Sequence, residues 1–331
     1  MKRLLYTLLF FLPCMLIACG GSDDTPDGDN NPPVVAPPSE EPVDSRLLYN
    51  GIRLPEQWPP VRSSSSELEK GMSPFYLSDK PSVINISVGR QLFVDNFLIE
   101  STNLKRTFYY PEYYSGNPIL TPEQDWEKTG TKGAAFAAPF SDGVWYDEKE
   151  GKYKMWYMAG GGSYATSGAG VTCYAESTDG IHWTKPTLSI VAGTNIVDYN
   201  SERDASVIWL DKQESNASKR YKMFLVTRES GKWRYRYKTS PDGKVWRAAA
   251  QSEPIADRST VYKNPFRNVW VYSMRHNIRV DANKLVRARD YNENADPEAG
   301  TKKAEALLSA FWFGPWANEQ HHTDYPNIAP A

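Results

Sequence analysis

Residues Tyr174–Trp183 read YAESTDGIHW, and residues Tyr237–Trp246 read YKTSPDGKVW. The cadence Ser-x-Asp-Gly-x-x-Trp therefore occurs twice, about 63 residues apart, a spacing far beyond any helical or hairpin period that marks a repeated supersecondary unit. Placing the two copies in register brings more into line. GVWYDEKEGKYKMWYMAG (Gly143 to Gly160) lies over VIWLDKQESNASKRYKMFLVT (Val207 to Thr227), with Trp145 over Trp209 and Asp147 over Asp211. Each stretch is an apolar-alternating run, a polar turn and a second alternating run, which is a hairpin by period.

A third run follows each hairpin (GVTCYAES, WRYRYKTS), then the Asp-Gly turn and a short fourth run ending at Trp183 or Trp246. Four antiparallel strands repeated end to end predict an all-β chain built of propeller blades. The Asp-Gly pair supplies the backbone freedom of a tight turn, and Ser177 and Ser240 can bond the local backbone. The tryptophan is expected to pack the outer strand onto the next blade, so these aspartates read as scaffold. A weaker third copy starts at Asp257 with DRSTVYKNPFRNVWVYSMRHN and LVRARD, its fourth strand expected to have decayed. ALLSAFWFGPWANEQ and a polar end follow with no further hairpin pair, and at about 64 residues per blade the expectation for Ala137 to Ala331 is three blades and part of a fourth, incomplete at the C-terminus. The run from Gly51 to Lys132 carries no copy of the cadence and reads as a segment leading into the first blade.

The chain opens with Lys2 and Arg3 before the apolar run Leu4 to Leu12, too short and wrongly flanked for a membrane span. The close of that run, Leu16-Ile17-Ala18-Cys19, resembles a bacterial lipobox, which implies a signal over residues 1–19 and lipidation at Cys19. Residues 20–45 are Gly, Ser, Asp, Asn and Pro with little apolar surface to bury, and read as a tether. Its acidic start, GGSDD, resembles that of outward-facing bacterial surface lipoproteins, which implies the outer membrane or cell surface. Residues 46–331 form the folded domain. Cys14 leaves with the signal and Cys19 is acylated, so Cys173 has no disulfide partner. A net charge of −2 with no isolated Lys/Arg run argues against a nucleic-acid partner. The 11 Trp and 20 Tyr suit a β core and, at its edges, stacking on sugar rings.

In a propeller the innermost strands line a central funnel, where side chains distant in sequence converge. Asp204 lies five residues before Trp209 and Asp257 five before Tyr262, the same inner-strand position in two blades. In the first blade that position is Phe140, and by strand parity Asp142 lies on the same face. Asp142, Asp204 and Asp257, with Arg203 and Arg258 beside the last two, are the candidate site. Glycoside cleavage needs a carboxylic acid to protonate the leaving oxygen and a carboxylate to activate water or attack the anomeric carbon. His276 could contact a sugar hydroxyl. His321 and His322 are adjacent and make a poor metal pair, so neither a metal nor another cofactor is expected.

The blades, the Arg-Asp opening the second inner strand and the repeated turns look like the five-bladed propeller glycosidases of glycoside hydrolase families 32 and 43. NGIRLPEQWPP, LFVDNFLIE and GVWYDEKEGKYKMWYMAG resemble a bacterial branch of that superfamily, over residues from about Asn50 to the end. The resemblance implies a nucleophile or base at Asp142, an orienting aspartate at Asp204 and the general acid at Asp257. The third-blade acid of those families is a glutamate where this chain has Asp257. The first-blade motif matches less closely, and Asp95 in FVDNF competes for that role. The function implied is a surface lipoprotein glycoside hydrolase acting on terminal or branching sugars of an oligo- or polysaccharide. The alternative is a glycan-binding propeller without catalysis, or an inactive truncated paralogue.

Overall fold

The computed structural model describes residues 46–48, 53–59, 82–84, 86–87, 92–93, 96, 99–128, 135–160, 170–200, 202–281, 284–304 and 310–313. All fall within the compact unit Asp44–Ala331. The signal, the tether, Cys19, Asp95, His321 and His322 lie outside the described residues.

Three four-stranded antiparallel sheets follow one another along the chain, each an up-and-down meander. The first contains β1 (Ala137–Asp147), β2 (Lys152–Ala159), β3 (Gly170–Ser177) and β4 (Ile196–Asn200). The second contains β5 (Arg203–Leu210), β6 (Tyr221–Glu229), β7 (Lys232–Ser240) and β8 (Arg247–Gln251). The third contains β9 (Thr260–Asn264), β10 (Val269–Asp281), β11 (Lys284–Asn294) and β12 (Ala310–Phe313). Among the described residues two short α-helices, α1 (Asp125–Lys128) and α2 (Pro297–Lys303), accompany them. The first strands of the three sheets are neighbours, β1 against β5 and β5 against β9, which is the relation of inner strands in successive blades.

Two apolar clusters lie between sheets, and a third is built on the first sheet alone. Trp156 and Tyr174 of the first sheet and Ile208, Leu210, Tyr221, Met223 and Leu225 of the second form one apolar cluster. Phe224, Val226, Tyr235 and Tyr237 of the second sheet meet Val261, Trp270, Tyr272 and Met274 of the third in another. β2 and β6 are covered on both faces, which explains why KMWYMA and YKMFLV are nearly unbroken apolar runs rather than strict alternations. Full burial of a ring such as Trp156, which has no exposed surface, contributes about 3 kcal/mol.

The repeated turn is held by its own polar side chains. Ser177 Oγ accepts the amides of Asp179 and Gly180, and Asp179 Oδ1 accepts those of Ile181 and His182. Ser240 and Asp242 repeat this on Asp242, Gly243, Lys244 and Val245. The amides after each Asp-Gly are thereby taken up and cannot join a ladder. The fourth strand accordingly starts beyond the tryptophan instead of ending at it: β8 begins at Arg247, and β4 only at Ile196, after isolated bridges at Glu176–Thr184 and Leu188–Thr194. Trp183 packs against the apolar cluster of its own sheet, and Trp246 packs into the core shared with the preceding sheet, not the next.

The third sheet also corrects the sequence reading. Its fourth strand has not decayed: AFWF at Ala310–Phe313 is β12, paired with β11. In place of the Asp-Gly turn stands α2, whose N-cap Asp296 accepts the Ala299 amide at 2.7 Å and which carries Pro297 in its first turn. Inserting the helix pushes the strand out of the repeat spacing.

Candidate active site

The starts of the three inner strands are irregular. Between Ala138 and Gly143 the pairing of β1 with β2 breaks register, and β5 does so between Arg203 and Ser206. Such bulges re-aim side chains. Phe140 and Arg258 take positive φ angles of 30° and 58°, left-handed conformations that cost a non-glycine residue about 1–2 kcal/mol. Two of them at the same ends of the first and third inner strands are backbone strain of the kind that gathers at functional sites. The bulge also removes the basis for placing Asp142 by parity with Phe140.

Asp142 is fully buried and paired with Arg203, equally buried, whose Nη2 donates to both carboxylate oxygens at 2.8 and 3.0 Å. Arg203 also donates to Thr172 Oγ1 at 2.7 Å and to the Asp204 carbonyl at 3.3 Å. Burial pushes the Asp142 carboxyl up against the downward pull of Arg203. Asp204, with 7 % of its side chain exposed, accepts the Arg258 amide and lies 3.4 Å from Arg258 Nε. The Arg258 guanidinium in turn sits 4.9 Å over the Phe140 ring, locking the ends of the three strands together. Asp257 is the most accessible of the three carboxyls, 27 % exposed, and pairs with Arg275 at 2.5 Å.

Arg275 and Arg289 were not evident as site residues. They stand opposite each other on β10 and β11, with Asn277 opposite Arg287 beside them, so one face of this hairpin carries Arg275, Asn277, Arg287 and Arg289. Arg289 donates to the carbonyls of Arg258 and Ser273, and the Arg275 amide donates to Ser259 Oγ. The alternating arginines of LVRARD, read at period two, carry the signal that would have found them. His276 lies on the opposite face of β10 and does not join the cluster. Its Nδ1 meets buried Asp290 at 3.1 Å, a contact that raises the imidazole, while burial raises the Asp290 carboxyl.

The structure thus brings Asp142, Arg203, Asp204, Asp257 and Arg258 to one end of three neighbouring strands and adds Arg275, Arg287 and Arg289. Among the described residues no three His, Cys, Asp or Glu side chains gather as a metal ion would require. Arranged this way, the end of the sheets presents one solvent-reaching carboxyl and one anchored carboxylate among guanidinium donors.

No family model matches the chain, and no curated protein does. Similar solved structures include a fructofuranosidase from Schwanniomyces occidentalis complexed with fructose, at 14 % identity and a TM-score of 0.33 over 46 % of this chain and 33 % of that one. A Bombyx mori GH32 β-fructofuranosidase in complex with sucrose is 12 % identical with a TM-score of 0.37, over 52 % of this chain and 37 % of its own. An α-L-arabinanase from Cellvibrio cellulosa complexed with arabinohexaose is 8 % identical with a TM-score of 0.37, over 60 % and 67 %. The chain spans about a third of the length of the two fructofuranosidases. Likeness of this degree leaves the chemistry of the site to be argued from its own residues.

Proposed function

We propose that this chain is a surface lipoprotein of the glycoside hydrolase type, acting on terminal or branching sugars of an oligo- or polysaccharide at the inner-strand ends. The observation that carries the reading is the gathering of carboxylate–guanidinium pairs from three neighbouring strands beside strained backbone. Asp257, the one carboxyl with substantial exposure, is positioned to meet a glycosidic oxygen as the acid. Asp204, bonded to the amide and guanidinium of Arg258, is the carboxylate that would stabilise positive charge at the anomeric carbon. Asp142 and Arg203 position the others, since neither side chain reaches solvent.

A second reading rests on the same pairs: with every carboxylate held by an arginine, the site recognises a glycan without cleaving it. Release of reducing sugar from plant and host polysaccharides separates the two. Under the hydrolase reading, Asp257→Ala and Asp204→Ala each lower the rate by about 10²- to 10⁴-fold. Retention of full rate by both variants would sink these roles, and binding with no release would establish the second reading. Anchoring through Cys19 belongs to the same proposal. Cys19→Ala should move the protein from the membrane to the soluble fraction, and unchanged membrane association would refute lipidation there.

A further inference from the structure

At the ends of the sheets opposite the site, the two boundaries between sheets are closed differently. At the first boundary Lys154, of Tyr153-Lys154-Met155, donates to Asp147 and Glu150 and reaches across to the Asp242 carbonyl in the Asp-Gly turn of the second sheet. Trp156 Nε1 donates to the Gly243 carbonyl of the same turn at 2.7 Å, so the turn fills the space beside the ion pairs. At the second boundary Lys222, of Tyr221-Lys222-Met223, holds the same place in the repeat and donates to Asp211 and Glu214 at 3.0 and 2.9 Å. Its carbonyl partner, however, is Lys219 of its own sheet. The Asp-Gly turn is here replaced by α2, which is tied to Tyr272 through the Pro297 carbonyl at 2.7 Å and packs against β7 and β8. The space that a turn fills at the first boundary is an open cleft of about 400 Å³ at the second, lined by Asp211, Lys222 and Glu214 of the second sheet and Ala295, Asp296 and Pro297 of the third.

That volume lies within the range of small-molecule sites, about 300–1,000 Å³. Its lysines are held by carboxylates, Lys222 by Asp211 and Glu214 and Lys263 by Asp211 at 2.9 Å, and Asp296 adds a further negative charge, which disfavours an anion. The exposed lining is made of groups that give and take hydrogen bonds: the Gln213 and Asn268 amides, the Ser215 hydroxyl and the Asp296 carboxylate. Gln213 Oε1 accepts from Lys263, leaving its amide nitrogen as a donor, and Asp296 Oδ1 accepts the Ala299 amide, leaving Oδ2 as an acceptor. Amide and carboxylate groups of this kind match the adjacent hydroxyls of a sugar ring. We propose that the cleft between Asp211 and Asp296 is a second carbohydrate site, which takes a short neutral oligosaccharide at the end of the sheets opposite the inner-strand starts. The choice of a sugar rests on the carbohydrate reading above.

Calorimetric titration of the full chain with neutral arabinotriose and with tri-galacturonate tests it. Ser215→Trp, which sets an indole in the cleft from an exposed position, removes a component of the arabinotriose binding and leaves the melting temperature that of the parent. Gln213→Ala weakens the same component by about ten-fold, the loss of a hydrogen bond. Tri-galacturonate lacks the component, and its appearance with that ligand overturns the neutral choice. Either effect on arabinotriose, in a variant that melts with the parent, supports the site; if Ser215→Trp melts early, Gln213→Ala alone decides. Arabinotriose binding that the variants leave unaltered overturns the proposal and keeps the carbohydrate reading, whereas binding of neither ligand overturns both.

Discussion

Replacing Arg203 by leucine should be among the most damaging single changes in the second sheet. Both partners of the Arg203–Asp142 pair have fully buried side chains, and Arg203 Nη2 donates to both Asp142 oxygens. Leucine would leave a carboxylate in the interior with its main compensating charge gone and strand the Thr172 hydroxyl and the Asp204 carbonyl. Breaking a buried pair by removing one partner costs about 3–5 kcal/mol, a large share of the about 5–15 kcal/mol that holds a typical domain. The double change Asp142→Leu/Arg203→Leu should recover most of that, to within about 1 kcal/mol of the parent, because no charge is then left uncompensated. Urea unfolding followed by tryptophan fluorescence reads both. The deficit of the single variant also has a pH signature. Without Arg203 the folded-state pKa of Asp142 rises further above its unfolded value, so the folded state takes up a proton more readily and the deficit shrinks as pH falls from about 7 to about 5. A loss below about 1 kcal/mol, or one that does not change over that range, would refute the reasoning.

Two further outcomes follow from contacts between sheets. Gly180 and Gly243 share a φ of 78°, but a Cβ on Gly243 would lie 2.4 Å from Trp156 Cζ2 whereas the nearest atom to one on Gly180 is 3.8 Å away. Gly180→Ala should therefore cost only the left-handed penalty of about 1 kcal/mol and Gly243→Ala at least about 3 kcal/mol, and equal melting temperatures would show that the turn does not dock on Trp156. Burial of Asp147 is outweighed by its bonds to Arg220, Tyr221 and Lys154, which hold its carboxyl well below the usual carboxylate range. Its contribution is thus present above the unfolded value of 3.8 and lost as pH falls through the depressed one. Arg220→Gln should cost about 2 kcal/mol at neutral pH, and the difference from the parent should narrow below about pH 4; a gap that stays constant into acid would count against the pair.

The repeat was legible because its signals are local. Period-two alternation gave the hairpins, and the Ser-x-Asp-Gly cadence gave the turn that joins third strand to fourth. The fourth strands were misplaced because the turn side chains consume the amides following Gly180 and Gly243, which alternation alone cannot reveal. β12 was missed because α2 stands where the repeat demanded a turn. At the site, the three aspartates could be named from register, and Arg203 and Arg258 as their sequence neighbours, but not which arginine pairs with which aspartate, nor Arg275 at all. Asp142 meets an arginine 61 residues away and Asp204 one 54 residues away, and both pairings depend on bulges and left-handed backbone that leave no periodic trace.

The pairs differ in what they join, and this separates scaffold from chemistry. Asp142–Arg203 and Asp204–Arg258 each cross from one sheet to the next at one end of the inner strands. Asp147–Arg220 and Asp211–Lys263 cross the same two boundaries at the other end, with the apolar clusters between. Neighbouring sheets are therefore fastened by charge at both ends and by hydrophobic burial in the middle. Asp257–Arg275 is different: Arg275 belongs to β10 and Asp257 leads directly into β9 of the same sheet, so this pair bridges no boundary between sheets. It is also the most exposed of the three site pairs, and exposed pairs contribute least to stability. A carboxyl that the fold does not need as a fastener and that reaches solvent is the one open to a ligand, which is why the proposed function assigns the acid to Asp257 with Asp204 behind it.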